Sequence, residues 1–167
     1  MLPPEQKPEH TEKYEGFFHC VSFQGNVEKA NMIFIIRDHS KSKFEKRKSL
    51  IASLANYLNQ YYGEGTVNLD MVDQYYNMRD KVKPVKYIVD LAEETMNDLG
   101  ITPKIRAIRG GTDGARLSYM GLPCPNIFAG GHNFHGPYEF VPVNSMIKAV
   151  EVVIRICKKV PRLDDAS

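Results

Sequence analysis

The stretch from Arg109 to Glu139, RGGTDGARLSYMGLPCPNIFAGGHNFHGPYE, holds seven of the chain's twelve glycines. Glycine loses more backbone freedom on folding than any other residue, so this density marks places where the chain turns sharply or comes close to another group. Gly110-Gly111-Thr112-Asp113-Gly114 follows an apolar run at residues 105–108 and precedes Ala115 to Met120. The pattern predicts a strand, a tight turn and a helix start. Two readings stay open at this point. Free N–H groups and the positive end of a helix suit an anion; a plain αβ turn capped by Thr112 or Asp113 explains the same residues. The pentapeptide matches neither the dinucleotide fingerprint nor the phosphate loop.

Gly130-Gly131-His132-Asn133-Phe134-His135-Gly136 follows a second short apolar run, residues 126–129, where another strand is expected to end. Open parallel sheets bind ligands outside the carboxyl ends of their strands, so both glycine turns are expected on one sheet edge. An imidazole there ligates a metal through one nitrogen when the other donates to a carboxylate or carbonyl. Glu139 lies four residues beyond His135. The alternative is a surface histidine in a loop.

Upstream, residues 1–13 are rich in proline and charge and read as an irregular lead-in. Residues 14–23 carry aromatics and valine in partial alternation and run into Gln24-Gly25-Asn26, a hairpin signal answered by the apolar run Met32 to Ile36. Ser40 or Ser42 can cap a following helix, in which Phe44, Leu50, Ile51, Leu54, Ala55 and Leu58 recur at three- and four-residue spacing up to Gly63. Residues 67–75 alternate and predict a third strand. Strand, strand, helix, strand is part of a split βαβ pattern that wants another strand and helix first, expected before Met1. Past Asn77 the pattern becomes α/β. Pro84 suits the first turn of a helix carrying Ile88, Leu91, Ala92, Thr95, Met96 and Leu99 and closed by Gly100. Residues 104–108 and 126–129 predict strands. Residues 145–158 predict a last helix with Met146, Ala149, Val150, Val153 and Ile154 on one face and cations in its final turn.

Composition narrows the function classes. The chain has 167 residues, 43% apolar and 25% charged, with a formal net charge of +2, which is the profile of a globular domain rather than a nucleic-acid binder. The basic run at residues 41–48 is broken by Glu45 and reads as a solvated helix face. No stretch has the length of a membrane span, and Met1-Leu2-Pro3-Pro4 does not begin a signal peptide. A cytoplasmic location is expected. Cys20, Cys124 and Cys157 form no C-x-x-C pair and read as reduced thiols, with Cys20 and Cys157 expected in the core.

The phrases IRGGTDGA, MGLPCPNIF and GGHNFHGPYEF, preceded by PEHTEKYEGFFH, IIRDHSKSKFEKRK and DQYYNMRDKV in the same order, closely resemble the C-terminal part of the peptidase T family, tripeptide aminopeptidases among the M20 dinuclear zinc peptidases. The resemblance implies an α/β fold: an α+β portion of a lid or dimerisation domain at residues 1–76, then the C-terminal part of an α/β zinc-peptidase catalytic domain at 77–167. It implies short peptides as substrates and possible homodimers through the lid. The family holds two zinc ions, and by motif position His135 corresponds to its histidine ligand near the C-terminus. The other ligands and the general base have no counterpart here, so no catalytic residue is assigned, and zinc is not expected to be held by this chain alone. Glu93-Glu94 falls inside a predicted helix, where adjacent residues do not share a face. Arg37 and Arg109 match arginines that in the family point into the cleft, where a guanidinium fork suits a peptide's terminal carboxylate. Asn77 matches a position that could hold the peptide backbone. For Arg37 the competing expectation is an ion pair with Asp38 or a neighbour. A binding or dimerisation module, or a subunit that completes a site with a partner chain, are the other functions such a chain could have.

Overall fold

The computed structural model describes residues 1–160. They divide into two compact units, one formed by Met1–Asn77 with Ala107–Arg116, the other by Met78–Arg106 with the chain from Leu117 onward.

The first unit is built on a hairpin. Strands β1 (Phe17–Gly25) and β2 (Ala30–Arg37) pair antiparallel with Phe17 opposite Arg37 and Gly25 opposite Ala30. The turn forms because the Asn26 side chain accepts from the amides of Glu28 and Lys29, at 2.9 and 2.8 Å. A bulge between Cys20 and Ser22 shifts the register once. Helix α1 (Lys41–Tyr62) then packs against β2. Ser40 caps it by accepting from the Lys43 amide, and Gly63 closes it, both as the sequence predicts. The buried carboxylate of Asp38 pairs with Arg47 on α1 and also accepts from the Ser40 amide at 2.8 Å. Arg47 further donates to the Gly16 carbonyl at 3.1 Å. The basic run is therefore partly internal to the fold: Arg47 ties α1 to the hairpin, and Lys48 reaches Asp73 at 2.8 Å.

The second unit is helical. Pro84 lies in a 3-10 turn, Lys83–Val85, that follows the short helix α2 (Arg79–Val82) and leads into α3 (Tyr87–Asp98). The amides of Gly100 and Ile101 bond back to the carbonyls of Asn97 and Met96 and stop α3, so Gly100 sits just past the cap, which is Leu99. Helix α4 (Asp113–Tyr119) spans the boundary of the units. The last helix, α5 (Val143–Lys159), packs on α3, and Val152 of α5 and Thr95 of α3 are both fully buried. Lys159 closes the pair by reaching Glu94 and Asp98 at 2.6 and 2.7 Å. These partners hold the lysine above its usual pKa, Asp98 most strongly.

Four sequence expectations are corrected. Residues 67–75, 104–108 and 126–129 form no strand, and the described sheet contains β1 and β2 only. A strand exists through its ladder, and an apolar alternating run without a neighbour to take its N–H and C=O groups stays irregular. Residues 67–75 are held by side chains instead. Asn59 brackets Val67, accepting from its amide at 2.7 Å and donating to its carbonyl at 3.0 Å, while Asp73 takes Lys48 and Tyr76. The fourth correction concerns Cys20 and Cys157, which are exposed rather than in the core. Their strand and helix each bury one part and leave the rest open, with Phe23, Met32 and Ile33 of the hairpin 67%, 56% and 51% exposed.

Candidate functional site

Arg37 ends β2, and its surroundings decide what the guanidinium is free to do. Asp38, the neighbour expected to neutralise it, is committed to Arg47. Arg37 instead donates through Nη2 to the Gln74 side-chain oxygen at 3.1 Å and lies over the Tyr75 ring, 5.3 Å from its centre. Among the described residues, that leaves the rest of a planar fork without a carboxylate partner. A cleft of about 180 Å³ runs from this arginine between β2, α1 and residues 69–75, with Phe34, Ile36 and Leu69 among its lining.

The first glycine turn comes to the same place. A methyl group added at Gly111 would lie 1.5 Å from the Tyr75 hydroxyl oxygen, 2.9 Å from the ring carbon bearing it and 3.3 Å from Arg37 Nη2. Glycine is required there by close approach, one of the two reasons its density in the sequence allowed. Beyond it, Thr112 caps α4, its hydroxyl accepting from the Ala115 amide at 3.3 Å. The capped-turn reading thus accounts for Thr112-Asp113, and the close contact accounts for Gly111.

Arg109 is also in this unit, with a different set of partners. Its two terminal nitrogens donate to the carbonyl and the hydroxyl of Thr11, and its guanidinium lies 4.9 Å from the centre of the Phe17 ring. Its Nε is buried without a hydrogen-bond partner among the described residues. The fork that the sequence suggested for a ligand holds the lead-in segment. Asn77 donates from Nδ2 to the His39 carbonyl at 3.3 Å, at the far end of β2 from the hairpin turn.

His135 lies in the second unit, on a loop closed by a two-way backbone bridge between His132 and Phe140 at 2.8 and 3.2 Å. The His132 ring stacks on Phe140 with centroids 5.1 Å apart. Gly130 enters the loop at φ +77°, where an added Cβ would come within 2.5 Å of the Ser145 Cβ. Asn133 and His135 both have positive φ, 54° and 64°, a conformation these two residue types tolerate better than most. Glu139 serves the loop differently from the sequence expectation: its carboxylate accepts from the His135 backbone amide at 2.9 Å, fixing the backbone that carries the imidazole. The side chain of His135 is exposed.

Among the described residues no three histidine, cysteine, aspartate or glutamate side chains converge as metal ligands would. A zinc site needs at least three protein ligands, and a two-metal centre needs more. The donor set present, His135 with its neighbour His132 stacked on Phe140, does not fit a dinuclear centre by itself. Sequence reasoning missed Tyr75, Gln74 and Thr11. Tyr75 and Gln74 adjoin Asn77 in the motif DQYYNM, whereas Thr11 is 98 residues from the arginine it holds, and no local pattern announces such a pairing.

Comparison with known proteins follows the same lines. No family model matches the chain. It is 58% identical over 156 residues to peptidase T of Alkaliphilus oremlandii, covering 93% of this chain and 38% of that protein. The peptidase T of Halothermothrix orenii is also 58% identical over 156 residues, again 93% and 38%. That of Geobacillus thermodenitrificans is 55% identical over 158 residues, 95% of this chain and 38% of that one. The crystal structure of aminopeptidase PepT from Bacillus cereus superposes with a TM-score of 0.61 at 18% identity over 92% of this chain and 41% of that one, which establishes a shared fold. The chain thus spans about two fifths of the length of these relatives. With identity above one half along nearly its whole length, the chain is similar to the C-terminal part of proteins named peptidase T.

Proposed function

We propose that this chain carries the carboxylate-recognition part of a cytoplasmic tripeptide aminopeptidase, an enzyme that releases the N-terminal residue of tripeptides at a centre of two zinc ions. In this reading residues 1–76 are the portion of a lid and residues 77–167 the C-terminal portion of the catalytic domain. The observation that carries it is the setting of Arg37: its acidic neighbour is taken by Arg47, and its guanidinium lies on Tyr75, next to a cleft that Arg37 itself helps to line. A short peptide's free C-terminus is a planar two-oxygen anion, the shape a guanidinium fork matches. Arg37 is the primary contact. Arg109 takes part once Thr11 gives up its terminal nitrogens, and Asn77 is the candidate for the peptide backbone. His135 is the proposed metal ligand of this stretch, by its place in the motif and the loop that presents it; the remaining ligands and the base are not among the described residues' clusters.

The test is kinetic, in a full-length peptidase T ending in this sequence. Hydrogen bonds to charged groups are worth roughly 1.5–3 kcal/mol, so Arg37→Lys is expected to lower kcat/KM on a free tripeptide by about tenfold to a hundredfold. On the same peptide with an amidated C-terminus, mutant and wild type should perform alike. Equal losses on both peptides would rule out the carboxylate contact.

A second reading, self-association through the lid portion, is favoured by the exposed apolar side chains of the hairpin, Phe23, Met32 and Ile33.

A further inference from the structure

We infer that Tyr75 is a positioning residue for Arg37, clamped against the glycine turn so that the guanidinium plane is set before a carboxylate arrives. The inference deepens the carboxylate reading above and rests on it. An arginine at the end of an edge strand has many rotamers, and each one not productive for binding lowers affinity. Three contacts restrict this one. The Tyr75 ring lies 5.3 Å from the guanidinium carbon, within the range in which a cation is attracted to an aromatic face. The adjacent Gln74 oxygen takes Nη2 at 3.1 Å, which fixes rotation in the guanidinium plane. Tyr75 itself has no room to shift towards the turn, because its hydroxyl occupies the space a side chain on Gly111 would need, 1.5 Å from the position of a Cβ. Arg37, Tyr75 and Gly111 thus form one cluster, in which a side chain on the glycine would meet both the Tyr75 hydroxyl and, at 3.3 Å, Arg37 Nη2.

The cluster makes a prediction that ordinary packing does not. Loss of a merely structural tyrosine weakens binding of every peptide alike, whereas loss of a residue that orients Arg37 weakens binding of the carboxylate form and spares the amide. The experiment titrates the ¹⁵N-labelled chain with trialanine and with trialanine amide and reads both dissociation constants by NMR. Wild type is expected to favour trialanine by roughly tenfold or more. Tyr75→Phe keeps the ring over Arg37 but gives up the hydroxyl seated beside Gly111 and should lower that ratio part of the way; Tyr75→Leu should bring it close to one. Gly111→Ala pushes the hydroxyl off its seat and should also lower the ratio, and by less in a Tyr75→Leu background than alone, the non-additivity of two changes in one cluster.

The outcomes separate the two claims. A ratio unchanged in Tyr75→Leu but abolished in Arg37→Lys overturns the positioning role and leaves the carboxylate reading standing. A wild type that does not distinguish the two peptides, or an Arg37→Lys that matches wild type, overturns both. If Tyr75→Leu loses its cooperative melt, Gly111→Ala decides, and an unchanged ratio there overturns the inference.

Discussion

Two arginines that look alike in the sequence have different work in the structure. Arg37 is left with an open fork because Asp38 turns to Arg47, while Arg109 spends its terminal nitrogens on Thr11 and its face on Phe17. The sequence could place Arg37 at the end of a strand and Arg109 before a glycine turn and could not rank them, because the deciding partners are Arg47, ten residues on from Arg37, and Thr11, 98 residues before Arg109. Arg109→Lys keeps the charge and loses the two-point grip on Thr11. It is expected to cost about 1–3 kcal/mol and to speed amide hydrogen exchange in residues 11–18, of which Phe17 lies beneath that guanidinium. Exchange that is unchanged there would show that the Thr11 contact does not hold the lead-in. Glu139 gives the same lesson in miniature. Its spacing from His135 was legible, but whether it would meet the ring or the backbone depends on the positive φ of His135, which the sequence does not announce.

At the scale of elements, the helices were legible and the strands only half so. The hairpin, α1, α3 and α5 each carry a period, a cap or a turn signal within their own residues, and each forms close to where that signal places it. Residues 67–75, 104–108 and 126–129 carry strand composition without the neighbour that makes a strand, and a partner is a property of the fold rather than of the segment. Val152 of α5 is fully buried, so Val152→Ala is expected to destabilise the chain by about 1.5–3 kcal/mol in a thermal or denaturant melt. The segment at 67–75 depends on polar tethers and should answer to pH. The hydrogen bond from Lys48, then that from Tyr76, lowers the pKa of Asp73, and Asp73 in turn raises that of Lys48. A depressed carboxyl stabilises the fold above its unfolded pKa and ceases to do so as pH falls through the folded one; the raised lysine stabilises below its ordinary value and ceases to do so as pH rises through the raised one. The tether therefore holds across neutral pH. An NMR titration of the Asp73 carboxyl should give a midpoint below the usual aspartate range that moves up in Lys48→Met, and a midpoint indifferent to Lys48 would dissolve the pairing. The open hairpin face predicts concentration-dependent association, checked by sedimentation of wild type against Met32→Lys; a monomer at all concentrations would remove the second functional reading.

For the whole molecule, the family resemblance that the glycine-rich stretch carried is the part of the sequence reading the comparisons bear out most fully, at 53–58% identity. The resemblance also marked Arg37, Arg109, Asn77 and His135, and the structure puts the first three in one unit and His135 in the other. What was not legible is how far each is already satisfied by its surroundings, since that is set by contacts across the fold. With no cluster of metal-binding side chains among the described residues, the chain alone is expected to bind zinc no more tightly than isolated surface histidines do and to leave tripeptides uncleaved. Cleavage by a metal-loaded sample that disappears in His135→Ala would contradict this. The central claim, that this chain recognises a peptide's terminal carboxylate through Arg37, is tested most directly by titrating it with trialanine and with trialanine amide while following the backbone signals of Arg37, Tyr75 and Gly111. The account predicts that trialanine shifts these signals at concentrations where the amide leaves them in place, and that Arg37→Lys abolishes the difference. Equal shifts with both peptides, or shifts confined to other residues, would contradict it.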